Sequence, residues 1–185
     1  MSAEVDITLT VNGERVARRV EARRHLIDLL RLDLGLMGVH VGCEHGFCGA
    51  CTVRVDGAIV RGCLVLAASL DGAEIETIEG VSDSGEIRDL QDAFIARNAA
   101  QCGYCTPGML LAAADLLKAN PAPTRTEIRE HLSGNYCRCT GYQAIIDAIE
   151  TVAAKRQSAV GGRASEKGAI TTADTRPPTA DGLER

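Results

Sequence analysis

The chain has no tryptophan and few other aromatic residues, with two phenylalanines and three tyrosines among its 185 residues. Its interior must therefore be built mainly from Leu, Ile, Val and Ala. This length allows one ordinary domain or two small ones, each with a modest core. A small domain of this kind gains stability from a bound metal. Eight cysteines are available to hold one.

The sequence also lacks the features of several functional classes. Its net charge of -5 comes from interspersed acidic and basic residues, so no basic stripe predicts nucleic-acid binding. No segment predicts a membrane span, and the polar N-terminus does not resemble a secretory signal. There is no phosphate loop, dinucleotide fingerprint or carboxylate pair of catalytic spacing. We therefore expect a cytoplasmic chain without a substrate site, in which cysteines serve metal or redox chemistry rather than disulfides.

Residues 1–80 predict a β-rich first domain. Apolar and polar residues alternate around Ile7 to Val11, and Asn12-Gly13 is typical of a hairpin turn. Three further elements are predicted: a short helix over His25 to Leu34, a hairpin of Thr52 to Val55 with Ala58 to Arg61, and a last strand over Ala73 to Ile78.

The rest of the chain predicts helices only. Residues 81–85 have the composition of a linker, and residues 86–156 contain four stretches of helical periodicity. Thr106-Pro107 is typical of a helix start, and Thr124 to Glu127 of a capping box. Residues 157–185 are poor in apolar side chains and are predicted to be a disordered tail.

A first cysteine set lies in a glycine-rich segment of the β-rich domain. Cys43, Cys48 and Cys51 have the C-x4-C-x2-C spacing of a plant-type ferredoxin loop, and Cys63 supplies a fourth thiolate. Gly42, Gly46 and Gly49 can take positive φ and let the main chain approach the sulfides of a cluster, which a residue with a Cβ would resist. A zinc site and a disulfide pair are the alternatives. His45 could serve as a ligand but is better explained as a loop residue, because four cysteines already suffice.

A second cysteine set lies in the helical part. Cys102 and Cys105 form one pair, Cys137 and Cys139 form another, and each pair precedes a predicted helix. We expect the helix N-termini to lower the thiolate pKa values. By spacing alone, a zinc site or a thioredoxin-like redox pair remains open, although no βαβ pattern supports the latter.

Three stretches together resemble one known family. They are GCEHGFCGACTV at Gly42 to Val53, QCGYCTPGM at Gln101 to Met109 and NYCRCTGYQAI at Asn135 to Ile145. The sequence is similar to the iron-sulfur small subunit of bacterial molybdenum hydroxylases, the xanthine oxidase, aldehyde oxidoreductase and carbon monoxide dehydrogenase family. The resemblance covers roughly Val5 to Ala154.

The resemblance implies an α+β fold in which a β-grasp plant-type ferredoxin domain precedes a four-helix-bundle 2Fe-2S domain. It implies two 2Fe-2S clusters and assigns all eight cysteines as their ligands. The ferredoxin-type cluster would take Cys43, Cys48, Cys51 and Cys63, and the helical-domain cluster would take Cys102, Cys105, Cys137 and Cys139.

The resemblance also implies partners. In this family a large subunit holds molybdopterin, usually as the cytosine dinucleotide in bacteria, and a medium subunit holds FAD. Electrons would pass from molybdenum through the helical-domain cluster and then the ferredoxin-type cluster to FAD. Gln101 and Cys139 match positions that lie against the pterin in the family. For Gln101, a hydrogen bond at a helix end is the alternative.

Two other functional classes remain to be compared with this electron-transfer subunit. One is a free-standing ferredoxin-like carrier, which would need only the first cluster. The other is a zinc-stabilised interaction module. The substrate and the final electron acceptor are chosen by partner subunits, so this chain predicts neither.

Overall fold

The computed structural model describes residues 3–166, with side chains described as far as residue 159. It has one five-stranded sheet followed by a helical part. The strands are β1 (Glu4–Val11), β2 (Glu14–Glu21), β3 (Thr52–Val55), β4 (Ala58–Arg61) and β5 (Glu74–Glu76). The helices are α1 (Leu26–Asp28), α2 (Ile78–Asp83), α3 (Arg88–Ala96), α4 (Thr106–Ala119), α5 (Arg125–His131) and α6 (Gln143–Glu166).

Two hairpins supply four strands of the sheet. Asn12 and Gly13 both have positive φ at the β1–β2 turn, and Asp56 and Gly57 repeat this arrangement between β3 and β4. Such turns match the natural twist of paired strands and are favoured by these residue types. Both hairpins predicted from the sequence are therefore confirmed.

The sheet order is β2-β1-β5-β3-β4. The last strand enters between the hairpins, where it pairs parallel to β1 and antiparallel to β3. Alternate residues of β1 point inward and are buried with Leu26, Leu29 and Leu30 beneath the sheet. The sheet thus covers one small apolar core, to which Val53 of β3 and the cysteines Cys51 and Cys63 contribute.

The helical part surrounds α4. Every residue from Gly108 to Leu117 on this helix is buried except Asp115, which is partly exposed. Ala112, Ala113 and Ala114 allow neighbouring helices to approach closely because their side chains are small. On the opposite side, α4 contacts β3 and β4, so the two parts of the chain share an interface.

Several element boundaries differ from those predicted. The first helix continues from α1 as a π-helix over Leu29–Asp33, and β5 is shorter than the predicted strand. Residues 81–85 do not form an extended linker, because α2 reaches Asp83 and Val81 is buried in the helical core. The capping box at Thr124 and Glu127 is confirmed.

The last helix is longer than the sequence indicates. It continues to Glu166, so residues 157–166, predicted to begin a disordered tail, are helical. Gln157 and Ser158 form hydrogen bonds to the backbone oxygens of Pro121 and Ala154, which local composition does not reveal. Residues 167–185 of the predicted tail lie outside the described residues. No helix within residues 3–166 is both long enough and apolar enough to cross a membrane.

Candidate iron-sulfur sites

The first cysteine loop relies on glycine at three positions, for two different reasons. Gly46 and Gly49 have positive φ, as expected. Gly42 does not have positive φ. A Cβ there would instead lie 2.9 Å from the Cys48 Sγ. Close approach to sulfur, rather than backbone conformation, therefore explains this glycine.

Backbone N–H groups in this loop point at Cys43. The N–H groups of His45 and Cys48 each donate to its Sγ at 3.4 Å. These two hydrogen bonds lower the pKa of Cys43 to about 6, because they stabilise the thiolate. The loop is thus arranged to hold this cysteine in the charged form that binds metals.

The other two cysteines of the first set are buried beside each other. The Sγ atoms of Cys51 and Cys63 are 3.4 Å apart. Burial raises the pKa of Cys51 to about 11, and the neighbouring thiol of Cys63 adds to the effect. A bound cation would favour the ionised form of Cys51 in this position.

The second set also forms pairs. The Sγ atoms of Cys102 and Cys139 are 3.5 Å apart and both residues are exposed, while Cys105 interacts with Cys137 further inside. Although burial opposes it, hydrogen bonds from the hydroxyl and N–H of Thr140 lower the pKa of Cys137. This site therefore contains donors directed at sulfur, as the first one does.

The effect expected from helix N-termini is not seen at Cys105. It is the N-cap residue of α4, yet burial raises its pKa to about 12, with a further contribution from Cys137. The pKa of Cys139 is also raised, chiefly by its hydrogen bond to Cys102. Desolvation and neighbouring sulfurs outweigh the helix terminus in this arrangement.

The pairing of sulfurs bears on which metal centre these residues fit. Within the described part of the chain, no group of three or more His, Cys, Asp or Glu side chains is arranged around a single metal position. A 2Fe-2S cluster takes four thiolates for two irons, with inorganic sulfide between them, so two separate pairs per site fit it.

The remaining predicted site residues lie near the pairs. Gln101 is exposed and adjacent to Cys102, on the same side as the exposed Cys139. Its alternative role finds no support, because no side-chain hydrogen bond of Gln101 is observed within residues 3–166. His45 is exposed, and its ring nitrogen contacts the Cys43 carbonyl of its own loop.

Two direct contacts between the cysteine loops were not predicted. The N–H of Tyr136 donates to the Cys48 carbonyl at 2.8 Å. Tyr104 stacks on His40 with ring centroids 4.6 Å apart, and its hydroxyl donates to the Val41 carbonyl. Both tyrosines are next to cysteines of the second set, which is the one signal in the sequence that marks them.

Comparisons with known proteins match both halves of the chain. The family model described as "2Fe-2S iron-sulfur cluster binding domain" matches residues 9–77, and the one described as "[2Fe-2S] binding domain" matches residues 77–150. Together with the paired cysteines, the two matches define a protein with two successive iron-sulfur-binding regions.

Individual relatives are also similar over most of the chain. The nicotine 6-hydroxylase small subunit of Paenarthrobacter nicotinovorans is 54% identical over 80% of this chain and 89% of its own length. The caffeine dehydrogenase subunit gamma of Pseudomonas sp. (strain CBB1) is 49% identical over 82% and 92%. A solved chain of quinoline 2-oxidoreductase from Pseudomonas putida 86 has a TM-score of 0.78 at 49% identity, covering 85% of this chain and 98% of that one. The chain belongs to the family of 2Fe-2S small subunits of molybdenum hydroxylases.

Proposed function

We propose that this chain is the electron-transfer subunit of a molybdenum-dependent hydroxylase or dehydrogenase. The observation that carries the proposal is the presence of two sets of paired cysteines joined by the Tyr136 to Cys48 hydrogen bond. The relatives support it, because they are named as subunits of oxidoreductases. The same names disfavour a free-standing carrier.

We assign all eight cysteines as cluster ligands, and the contacts between sulfurs suggest how they divide. Cys51 and Cys63 would share one iron of the first site, leaving Cys43 and Cys48 for the other. In the second site, Cys102 would share an iron with Cys139, and Cys105 with Cys137. A bound 2Fe-2S cluster supplies a centre that is reversibly reduced and oxidised. The loops donate N–H groups to sulfur, which would stabilise the added negative charge.

For the direction of electron flow we propose the one that the family resemblance implies, and exposed residues suggest where each partner would dock. Gln101 and Cys139 are exposed on the outer side of the second site, so we propose that this side meets the molybdopterin of a large subunit. Phe47 and Leu64 are exposed beside the first loop, where we propose that the FAD-binding medium subunit docks. The Tyr136 to Cys48 contact then provides the connection between the two sites.

Two finer assignments of the fold belong to this proposal. The mixed sheet covered by α1 supports a β-grasp ferredoxin domain over residues 1–80. The packing of α4 against α3 and α5, and of α6 against α3 and α5, supports a four-helix bundle over residues 86–156. The cytoplasmic location expected from the sequence stays a prediction.

The proposal is tested on the full chain purified anaerobically and reduced with dithionite. We expect two distinct S = 1/2 EPR signals, with about four irons and about four acid-labile sulfides per chain. One signal with about half that iron, accompanied by zinc, would restrict the redox role to the first set and contradict the two-cluster assignment.

A further inference from the structure

A partly buried group of hydrogen-bonded residues connects the ligand loops of the two cysteine sets. We call Gly49, Thr52, Arg61, Gly134 and Asn135 the interloop network. Gly49 follows Cys48, Thr52 follows Cys51, and Arg61 stands two residues before Cys63. Asn135 stands two residues before Cys137 of the other set. The network therefore adjoins ligand positions of both sites.

Arg61 is the central donor of the network. Its guanidinium donates to the Thr52 hydroxyl at 2.6 Å, to the Gly134 carbonyl at 2.9 Å and to the Asn135 side-chain oxygen at 3.1 Å. The planar guanidinium thus connects Thr52 of β3 to two consecutive residues of the second loop, Gly134 and Asn135. Because its donors have a fixed geometry, it restricts how the two loops are oriented.

Asn135 completes the network from the helical part. Its amide donates to the Gly49 carbonyl at 3.1 Å and lies 3.4 Å from the Thr52 hydroxyl, which itself donates to Gly49 at 2.7 Å. Asn135 and Thr52 are each only 2% exposed. Because water cannot replace buried partners, any shift of one loop against the other would leave polar groups unpaired.

The backbone leaves no room for such a shift. A Cβ on Gly108 at the start of α4 would lie 2.3 Å from the Gly49 oxygen, and a Cβ on Gly49 would lie 2.6 Å from Asn135. The loops are therefore in direct backbone contact. The hydrogen bonds of the network then determine how the two loops are oriented in this contact.

We propose that Arg61, Thr52 and Asn135 are positioning residues for electron transfer, setting the separation and orientation of the two clusters. This inference rests on the proposed function. These three residues are not cluster ligands. They act through the loops that carry the cysteines. Electron transfer and magnetic interaction between two centres both fall steeply with separation, so small displacements have measurable effects.

The experiment compares the full, reconstituted chain with two variants. Thr52→Val removes two well-formed hydrogen bonds with almost no change of shape, and Arg61→Met removes the guanidinium but keeps an apolar stem. We expect both variants to keep full iron and both EPR signals. The magnetic splitting between the two reduced clusters at low temperature should decrease, and more so in Arg61→Met.

Arg54→Met is the matched control. Arg54 is a buried arginine of the same sheet, but its partners are the carboxylates of Glu76 and Glu86, neither of which belongs to a cysteine loop. We expect this variant to lower the thermal midpoint of unfolding and to leave the splitting at its wild-type value. A loss of splitting in the control as well would mean that general destabilisation is responsible, which would overturn the inference.

The outcomes separate this inference from the function on which it rests. Wild-type splitting in both fully loaded variants would overturn the positioning role while leaving two clusters in place. If Arg61→Met loads less iron, the near-isosteric Thr52→Val decides the question. A wild-type chain with a single signal would overturn the proposed function and this inference together.

Discussion

Because Gly108 has no side chain, the two parts of the chain can come into close contact at this residue. It lies in the first turn of α4 and is buried against the Gly49 carbonyl. Its φ is not positive, so backbone conformation does not require glycine here. Close approach of two backbones is the remaining reason for glycine at this position.

Gly108→Ala is expected to destabilise the chain. Helix propensity alone predicts a gain of up to about 1 kcal/mol. The added Cβ would instead overlap the Gly49 oxygen, and overpacking of this kind costs about 1–3 kcal/mol. The sign of the change in unfolding free energy, measured by denaturant titration with both clusters loaded, distinguishes the two effects.

Gly57→Ala is a useful comparison for that variant. Its Cβ would meet no atom within 4 Å, but φ is +81°, so only backbone strain is introduced. We expect Gly57→Ala to lower stability without altering the EPR spectrum, whereas Gly108→Ala alters both. Increased stability of Gly108→Ala would contradict the close contact.

At the scale of elements, the parts predicted best are those specified by neighbouring residues. The Asn12-Gly13 and Asp56-Gly57 turns and the Thr124 to Glu127 capping box contain their own hydrogen-bonding or φ requirements. The π-helix over Leu29–Asp33 and the burial of Val81 depend on tertiary packing instead. Composition alone therefore predicted a linker where α2 continues.

An ion pair connects β3 to the segment between α2 and α3. Arg54 is almost fully buried, and its guanidinium makes two hydrogen bonds to Glu86, at 2.6 and 2.8 Å. These bonds lower the pKa of Glu86 from its ordinary value of 4.5 and raise that of Arg54. Because the folded-state pKa of Glu86 is depressed, its stabilising effect is present above pH 4.5 and is lost as pH falls through the folded value.

Glu86→Gln is expected to destabilise the chain by about 1–2 kcal/mol at neutral pH, less than for a fully buried pair because Glu86 is partly exposed. The difference from wild type should shrink as pH falls below 4.5. Thermal midpoints of both proteins, measured in parallel from about pH 7 to about pH 3.5, check this.

A surface pair provides the control for Glu86. Glu4 and Arg19 are 2.9 Å apart with side chains 55% and 65% exposed, so Glu4→Gln should change stability by less than about 1 kcal/mol. If the Glu86→Gln difference stayed constant across the acid range, the carboxylate charge would not be its cause.

At the scale of the whole molecule, the sequence predicted the two cysteine sets but not how they meet. Spacing and family resemblance are local signals, and they predicted how the eight cysteines divide into two sets. The contacts of Asn135 with Gly49 and of Tyr104 with Val41 join residues more than 60 positions apart. Such pairings are determined only when two separately folded cores pack together, so no local pattern contains them.

Two cysteine variants should distinguish the EPR signals of the two sites. Cys105→Ser is expected to abolish the helical-domain EPR signal, and Cys63→Ser the ferredoxin-type signal, because each would remove one of the four proposed ligands. Iron should fall from about four to about two atoms per chain in each case. EPR and iron analysis on both variants provide the check, and each variant serves as the other's control. Loss of the same signal in both would contradict the assignment of two independent sites.

The two sites differ in how much protein covers them. Cys102 and Cys139 are exposed, whereas every cysteine of the first set is buried or only half-exposed. Oxidants reach accessible sulfur first. Damage by air should therefore begin at the helical-domain site. A partner surface that covers this site would protect it, so assembly would lengthen the lifetime of the chain in addition to allowing electron transfer.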